Sequence, residues 1–324
     1  MASNVGWIAG NYKKCIQDID RINFDDLENP WTFFNLFSQT DTIVINWCVQ
    51  QGLLLREVQC SHESCDGIMK LCQRSNKSCG FSLRCGRNRN HEKSVFCNTF
   101  FERSKLNIRD IFMFVKCYLD RLSLSQCAKF AGVTYGKTAV DWSSFIRELF
   151  KEYHYRHLRN KKLSGVIEID ESLFGRRVKY HRGNPRKGLR IWVFGMVERD
   201  SNSIILYPVT DRSEKTLLPL IKRHVAEGST IYSDGWSAYC SLNEHGYEHF
   251  SVIHKHAFCK EYKNIDTGEI VKVHTNRIEG AWKHAKDHFR RMSGTTATQW
   301  EGHMAEVFVF RLSLYALINE CLKL

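Results

Sequence analysis

The chain has 324 residues, 43% of them hydrophobic and 12% aromatic, which argues for a folded, globular protein with ample core to bury. Lys and Arg number 47 against 35 Asp and Glu, a formal net charge of +12, and that balance favours a polyanionic partner, nucleic acid first. No apolar run reaches the length of a membrane span and the opening MASNVGWIAGNYKKC lacks the apolar core of a secretory signal, so the expectation is an intracellular protein with no membrane partner, its 13 cysteines reduced thiols or metal ligands rather than a disulfide framework.

Residues 1–57 read as a helical N-terminal region, with helix-spaced apolar positions over residues 30–55 and a turn-like Gly52 before Leu53. Residues 58–98 change character. Cys60, Cys65, Cys72, Cys79, Cys85 and Cys97 crowd into a stretch rich in Gly, Ser, Asn and Arg, too poor in apolar residues to hold itself together by a core alone. Cys60, Cys65, Cys85 and His91 have a spacing that can close a tetrahedral Zn²⁺ site of a zinc-ribbon-like segment. His62 competes with Cys60 in that set, because His62 and Cys65 have the tighter two-residue gap, and Cys97 competes with His91.

Helical periodicity returns over residues 104–160, in the pieces LNIRDIFMFVKCYLD, SLSQCAKFAG and GKTAVDWSSFIRELF. The second and third, separated by Gly132, read as helix, turn, helix: Leu124, Cys127, Ala128 and Ala131 are apolar in one, Val140, Trp142 and Phe145 in the other. Such a pair can present its second helix to a DNA major groove, with Lys137 and Arg147 as phosphate contacts on the open face.

Residues 164–324 alternate strand and helix patterns and predict a mixed α/β domain. GVIEID, LRIWVFGMVE and SIILYPVT are strands, RDSNS is a turn, SEKTLLPLIKRHVAEG is a helix opened by Ser213 and closed by Gly228, and TIYSD is a further strand before helices. If Ile167 and Ile169 face one side of a sheet, Glu168 and Asp170 face the other. Asp234 ends the TIYSD strand. Carboxylates meeting at the ends of neighbouring strands repel one another and suit hard cations with oxygen ligands, Mg²⁺ or Mn²⁺. In HTNRIEGAWKHAKDHFRR, Ile278, Trp282, Ala285 and Phe289 form an apolar helix stripe, while Glu279, Lys283, Lys286 and Arg290 form a second stripe about a quarter-turn away. One acid with basic residues trailing behind it can serve a metal ion and DNA phosphates together.

IEIDESLFGRR, YSDGWSAY, SVIHKHAF and HTNRIEGAWKHAK, in this order, resemble the catalytic domain of the Merlin superfamily of DNA transposases and of related bacterial insertion-sequence transposases. The resemblance covers residues 164–312, and the upstream zinc-ribbon-like segment and helix-turn-helix match residues 58–150. It implies an RNase H-like fold whose D, D, E metal triad is Asp170, Asp234 and Glu279, with Lys286 a DNA-contacting lysine. Some relatives use Asn as third ligand, which makes Asn276 an alternative, and Glu261 and Glu269 are weaker rivals outside the matched motif. The function implied is cut-and-paste transposition of double-stranded DNA by two-metal catalysis, in a homodimer or larger synaptic assembly, in the nucleus if the source is eukaryotic and otherwise in the cytoplasm. Arg176, Arg177, Lys179, Arg182 and His254 are candidates for positioning phosphates, and Glu168 and Glu171 are expected to be supporting or exposed. Two other readings share parts of this logic: a transposase-derived DNA-binding protein without cutting activity, and a stand-alone metal-dependent nuclease.

Overall fold

A computed structural model describes residues 27, 29–77, 79–175, 190–252, 260–263, 270–292 and 295–309. Arg176, Arg177, Lys179, Arg182, His254 and Glu269 lie outside the described residues. The chain divides into two compact units, one built up to Tyr153 and the other from His154 to Val307.

The first unit opens with helices α1 (Pro30–Ser38) and α2 (Asp41–Gln50). Proline suits the first helical position because that N–H has no helical partner anyway, and the Asn29 side chain accepts from Trp31 N at 3.0 Å. Four short strands follow: β1 (Glu57–Gln59), β2 (Ile68–Gln73), β3 (Phe81–Cys85) and β4 (Glu92–Ser94). They form an antiparallel sheet in sequence order. Helix α3 (Ile108–Leu119) is capped by Asn107, and α4 (Leu124–Phe130) by a reciprocal box between Ser123 and Gln126. The turn to α5 (Lys137–Asn160) carries Gly132 at φ +65° and Gly136 at φ +99°, backbone settings that only glycine adopts without strain. Phe37 stacks on Phe112 with ring centroids 4.8 Å apart and Trp47 meets both edge-on. The Arg109 guanidinium ties the α1–α2 turn to α3, donating to Phe37 O at 2.9 Å, Gln39 O at 2.6 Å and Asp41 Oδ1 at 2.7 Å.

Two expectations for the helical segment need correction. The buried stripe of α5 runs through Ala139, Trp142, Ile146 and Phe150, so Val140 and Phe145 fall off it and stand 43% and 52% exposed. Arg147 is not on the open face either. It is buried, with Nη1 donating to Tyr118 Oη at 3.2 Å and to Ser143 Oγ at 3.3 Å, and Nη2 to Ser144 Oγ at 2.9 Å. A guanidinium committed to three hydroxyls in a closed space cannot also reach a phosphate on an open face. Lys137, in the first turn of α5, is exposed as expected.

The second unit is mixed α/β. Strands β5 (Val166–Gly175), β6 (Arg190–Glu198), β7 (Ile204–Val209), β8 (Thr230–Asp234) and β9 (Glu248–Val252) make one sheet of order β7-β6-β5-β8-β9. The β5, β6 and β7 pairings are antiparallel, while β8 runs parallel to β5, and β9 to β8. Helix α6 (Glu214–His224) covers one face, where Ile167, Ile169, Ile205 and Ile231 pack with Leu217 and Ile221. A hairpin of β10 (Lys260–Lys263) and β11 (Ile270–Val273) precedes α7 (Asn276–Arg291), and α8 (Ala297–Val309) follows.

Two sequence expectations differ from this arrangement, the end of α6 and the strands after β8. Helix α6 stops at His224 rather than at Gly228, because Val225 is extended and bridges Leu163, with Leu163 N donating to His224 O at 2.7 Å. Ser213 does open the helix as its N-cap residue, held by Asp211, whose Oδ1 accepts from Ser213 N and Thr216 Oγ1, both at 2.8 Å. Strands β9 to β11 had no counterpart in the reading of strand patterns.

Candidate functional site

Strand β5 assigns its side chains to faces strictly. Ile167 and Ile169 enter the core beneath α6, while Glu168 and Asp170 project to the side of α7, and both touch that helix. The parallel register pairs Val166 with Thr230, Ile167 with Ile231 and Glu168 with Tyr232. Continued two residues further, it sets Asp234 beside Asp170, on the same face and at the same level. Asp234 ends β8, and its Oδ1 accepts from Trp236 N at 3.1 Å, turning the chain away from the sheet.

The third acid comes from α7. Glu279 sits in the first turn of that helix, exposed, with Thr275 Oγ1 donating to its Oε1 at 3.3 Å. One turn on, Trp282 is buried and its Nε1 donates to Asp170 Oδ2 at 2.8 Å. The Asp170 carboxyl is pushed up to about 6, first by burial, against the pull of the Trp282 N–H, with the charges of Asp234 and Glu279 adding to the rise. Asp234 and Glu279 therefore each lie within electrostatic reach of Asp170. Glu171, on the opposite face of the strand, is also pushed up, to about 7, first by burial and then by the charges of Asp170 and Asp234, while the Tyr239 hydroxyl that donates to it pulls the other way.

Close packing holds α7 against the sheet. Gly195 on β6 pairs with Asp170, and a Cβ there would lie 2.6 Å from the Trp282 ring and 2.8 Å from Ile278, so only glycine lets the indole approach. Phe174 meets Trp282 edge-on at 5.9 Å.

Of the two roles expected for Glu168, supporting or exposed, the structure shows the first. Glu168 is fully buried, and its Oε2 accepts from Arg277 N at 2.8 Å and Ile278 N at 3.1 Å, so that it caps α7 from a strand 109 residues earlier in the chain. Its Oε1 faces Arg199 Nε at 3.1 Å and His274 Nδ1 at 3.7 Å. Burial raises this carboxyl, opposed by the two backbone N–H groups and by Arg199. Replacing Glu168 by Ala leaves the start of α7 without its acceptor and the Arg199 guanidinium without its buried counter-charge. The expected loss is about 3–5 kcal/mol, read from urea unfolding of the variant beside the parent chain. An unchanged midpoint would show that α7 does not depend on this cap. Trp282 and Glu168 had only weak sequence signals, a core-stripe position and an extra acid in an apolar strand.

The basic positions on α7 divide. Lys283 is exposed, Lys286 holds its ammonium 5.7 Å over the Phe174 ring, and Arg290 pairs with Asp287 on the surface. Asn276 begins the helix, and Glu261 pairs with Lys272 across the β10–β11 hairpin at 3.5 Å.

In the first unit, Cys60, Cys65, Cys85 and His91 converge, each offering one ligand atom, with all four atoms within 4.8 Å of one another. Cys60 follows β1, Cys65 lies in the turn before β2, Cys85 ends β3, and His91 precedes β4. Their loops are held by Cys60 N to Gly67 O at 2.9 Å and Cys85 N to His91 O at 3.0 Å. Backbone N–H groups of Asn88 and Arg87 lower the Cys85 thiol toward its thiolate. A Cβ on Gly67 would lie 2.4 Å from Cys85 Sγ, so the turn has to be glycine for the sulfur to enter. The Asn88 amide meets His91 Nε2 at 3.1 Å, leaving Nδ1 aimed at Cys60 Sγ, 3.4 Å away. His62 stacks on the His91 ring at 3.9 Å. Three thiols and an imidazole at this spacing can hold a zinc ion.

Residues 162–312 match the family model of an ISXO2-like transposase domain. An uncharacterized transposase-like protein of Haemophilus influenzae is 29% identical over 91 residues, which make up 28% of this chain and 66% of that protein. Among solved structures, the catalytic core domain of BIV integrase aligns at a TM-score of 0.29 and 13% identity, over 45% of this chain and 83% of that one. A simian T-cell lymphotropic virus intasome in complex with a PP2A regulatory subunit aligns at 0.28 and 11%, over 60% and 67%. At these TM-scores neither structure bears on the site. The family match supports a transposase domain of the insertion-sequence kind over residues 162–312, and the Haemophilus relative supports the same kind of protein.

Proposed function

We propose, from the transposase-domain match over residues 162–312, that the chain is a Merlin-like cut-and-paste DNA transposase that hydrolyses phosphodiester bonds at transposon ends and joins the freed 3′-hydroxyl to target DNA. The observation that carries this reading is the placement of Asp234 on β8 and Glu279 on α7 within electrostatic reach of Asp170 on β5. The sheet order β7-β6-β5-β8-β9, antiparallel and then parallel, fits the RNase H-like fold that the motif order implies.

The donor set suits Mg²⁺ or Mn²⁺: hard carboxylate oxygens, mutually repelling, on the inner strands of a sheet and the helix beside them. Bound there, two such ions would activate the attacking oxygen and stabilise the leaving one. The protein's own part is placement. Trp282 fixes the Asp170 carboxylate through Oδ2. Glu168 fixes the start of the helix that carries Glu279.

Zinc is the ion that best suits the Cys60, Cys65, Cys85 and His91 group, where it would brace the small sheet ahead of the helical segment. That segment, through Lys137 and the open face of α5, is the proposed reader of the terminal repeats. On α7, Lys283, Lys286 and Arg290 are the proposed phosphate contacts. Handling two ends together calls for a homodimer or larger assembly. The test is incubation of the purified chain with Mn²⁺ and DNA carrying candidate terminal repeats. Cleavage followed by joining is the expected result. Cleavage without joining would mark a nuclease, and binding without cleavage a DNA-binding derivative.

A further inference from the structure

Away from the acidic triad, the far end of α7 meets α8 through a second group of metal-ligating side chains. His288 Nε2 lies 2.8 Å from Glu306 Oε2, and His303 Nδ1 lies 2.8 Å from the same oxygen. The ligand atoms of all three residues fall within 4.8 Å of one another. His303 and Glu306 are three residues apart on α8 and so share one face of it, while His288 faces them from the last turn of α7. Glu306 is 2% exposed, and its carboxylate cannot swing out to water without leaving the helix interface. Phe289 stacks on Trp300 with centroids 5.7 Å apart and interplanar angle 25°, fixing the two helices beside the group. The imidazoles keep 22% and 12% of their side-chain surface open, enough for an ion to enter and for water to complete its coordination.

We propose that His288, His303 and Glu306 form a transition-metal site of the zinc class that staples α7 to α8, separate from the Cys60 group and from the acidic triad. Two imidazole nitrogens and one carboxylate oxygen, with a fourth position left to solvent, make a tetrahedral set for Zn²⁺ or Co²⁺, whereas Mg²⁺ prefers an all-oxygen shell. Bonds of about 2.0–2.2 Å to a central ion set ligand atoms about 3.3 Å apart. The ion therefore needs each nitrogen to retreat from the carboxylate by about 0.5 Å, a small side-chain movement that leaves both helices in place. Its consequence is mechanical: the helix that carries Glu279 in its first turn is pinned at its other end as well.

The experiment uses Co²⁺ as probe in the full chain carrying Asp170→Asn and Asp234→Asn, which keeps the triad from binding the ion. Titration should fill two sites. One gives the intense thiolate-to-cobalt absorption of the cysteine group, and the other adds tetrahedral d–d bands without further thiolate absorption. Introducing His303→Gln, or separately His288→Gln, should remove the second site, lowering bound cobalt from about two to about one per chain, while the thiolate band and the far-UV spectrum stay unchanged. Saturation at a single thiolate site in the parent chain would overturn the proposal. So would a second site that survives both substitutions.

Discussion

Asp170→Asn should reduce Mn²⁺-dependent DNA cleavage by about 10³-fold or more, with DNA binding retained. The change removes one charge and almost no volume. An asparagine amide oxygen can still accept from Trp282 Nε1, so the contact that holds Asp170 to α7 at 2.8 Å need not break. Loss of activity would then report the missing anionic ligand rather than a displaced helix. Stability supplies an independent check, because the raised carboxyl of Asp170 has a definite linkage sign. Unfolded, it releases its proton near its ordinary value of 3.8, and folded it holds the proton to about 6. The folded state thus binds more protons between those limits, and the metal-free protein loses stability as pH rises through that window. Above it the penalty is complete, on the order of 2–3 kcal/mol at 1.36 kcal/mol per pK unit. The Asn variant escapes this penalty, so at pH 8 without divalent ions it should unfold no more easily than the parent. Cleavage that survives the substitution would remove Asp170 from the chemistry. A large loss of stability at pH 8 would instead mean that its charge is compensated by some group other than a metal.

The acids of β5 and β8 were legible because their strands are dense in Ile, Val and Tyr, and strict alternation then tells which side chains share a face. The α7 stripe was equally open to reading, since Ile278, Trp282 and Ala285 recur at helical spacing and are all buried. What the sequence withheld was tertiary. For Glu168 the choice between supporting and exposed stays open in the sequence, because the helix start that it caps lies on α7 and no local pattern links the two. Arg147 looked like a surface cation because its acceptors, Tyr118 on α3 and two serines of its own helix, become a closed pocket only when the helices pack. The end of α6 was misread for a similar reason: Val225 leaves the helix to bridge Leu163, a partner more than sixty residues away. Strands β9 to β11 are four or five residues each and owe their conformation to neighbours across the sheet or hairpin. The cysteine group stood between these cases. Spacing named Cys60, Cys65, Cys85 and His91 but left His62 and Cys97 as rivals, and only the fold shows His62 stacked flat on His91.

Stripping metal from the Cys60, Cys65, Cys85 and His91 group with a strong chelator should lower the melting temperature of the first unit by more than about 10 °C. Apparent binding energies of structural zinc are about 10–16 kcal/mol at neutral pH, and in a unit of this size each kcal/mol of stability moves the midpoint by about 2–4 °C. The loss should fall well short of the full binding energy, because the small sheet is not held by metal alone. Met69, Leu71, Phe81 and Leu83 are buried on β2 and β3, and that apolar contribution remains when the ion leaves. The loops have less to fall back on. Residues 60–67 and 86–91 contain little apolar side chain, and the sulfur atoms of Cys65 and Cys85, 3.6 Å apart, have no comparably strong partner among the described residues once the ion is gone. Chelation should accordingly melt these two turns while the signal of α1 to α5 persists, a pattern that amide exchange can resolve segment by segment. Acid should act in the same direction as chelator, since thiolates and a neutral imidazole are the binding forms and protons compete for all four. A melting curve indifferent to both treatments would mean that the four side chains meet for packing rather than for a metal.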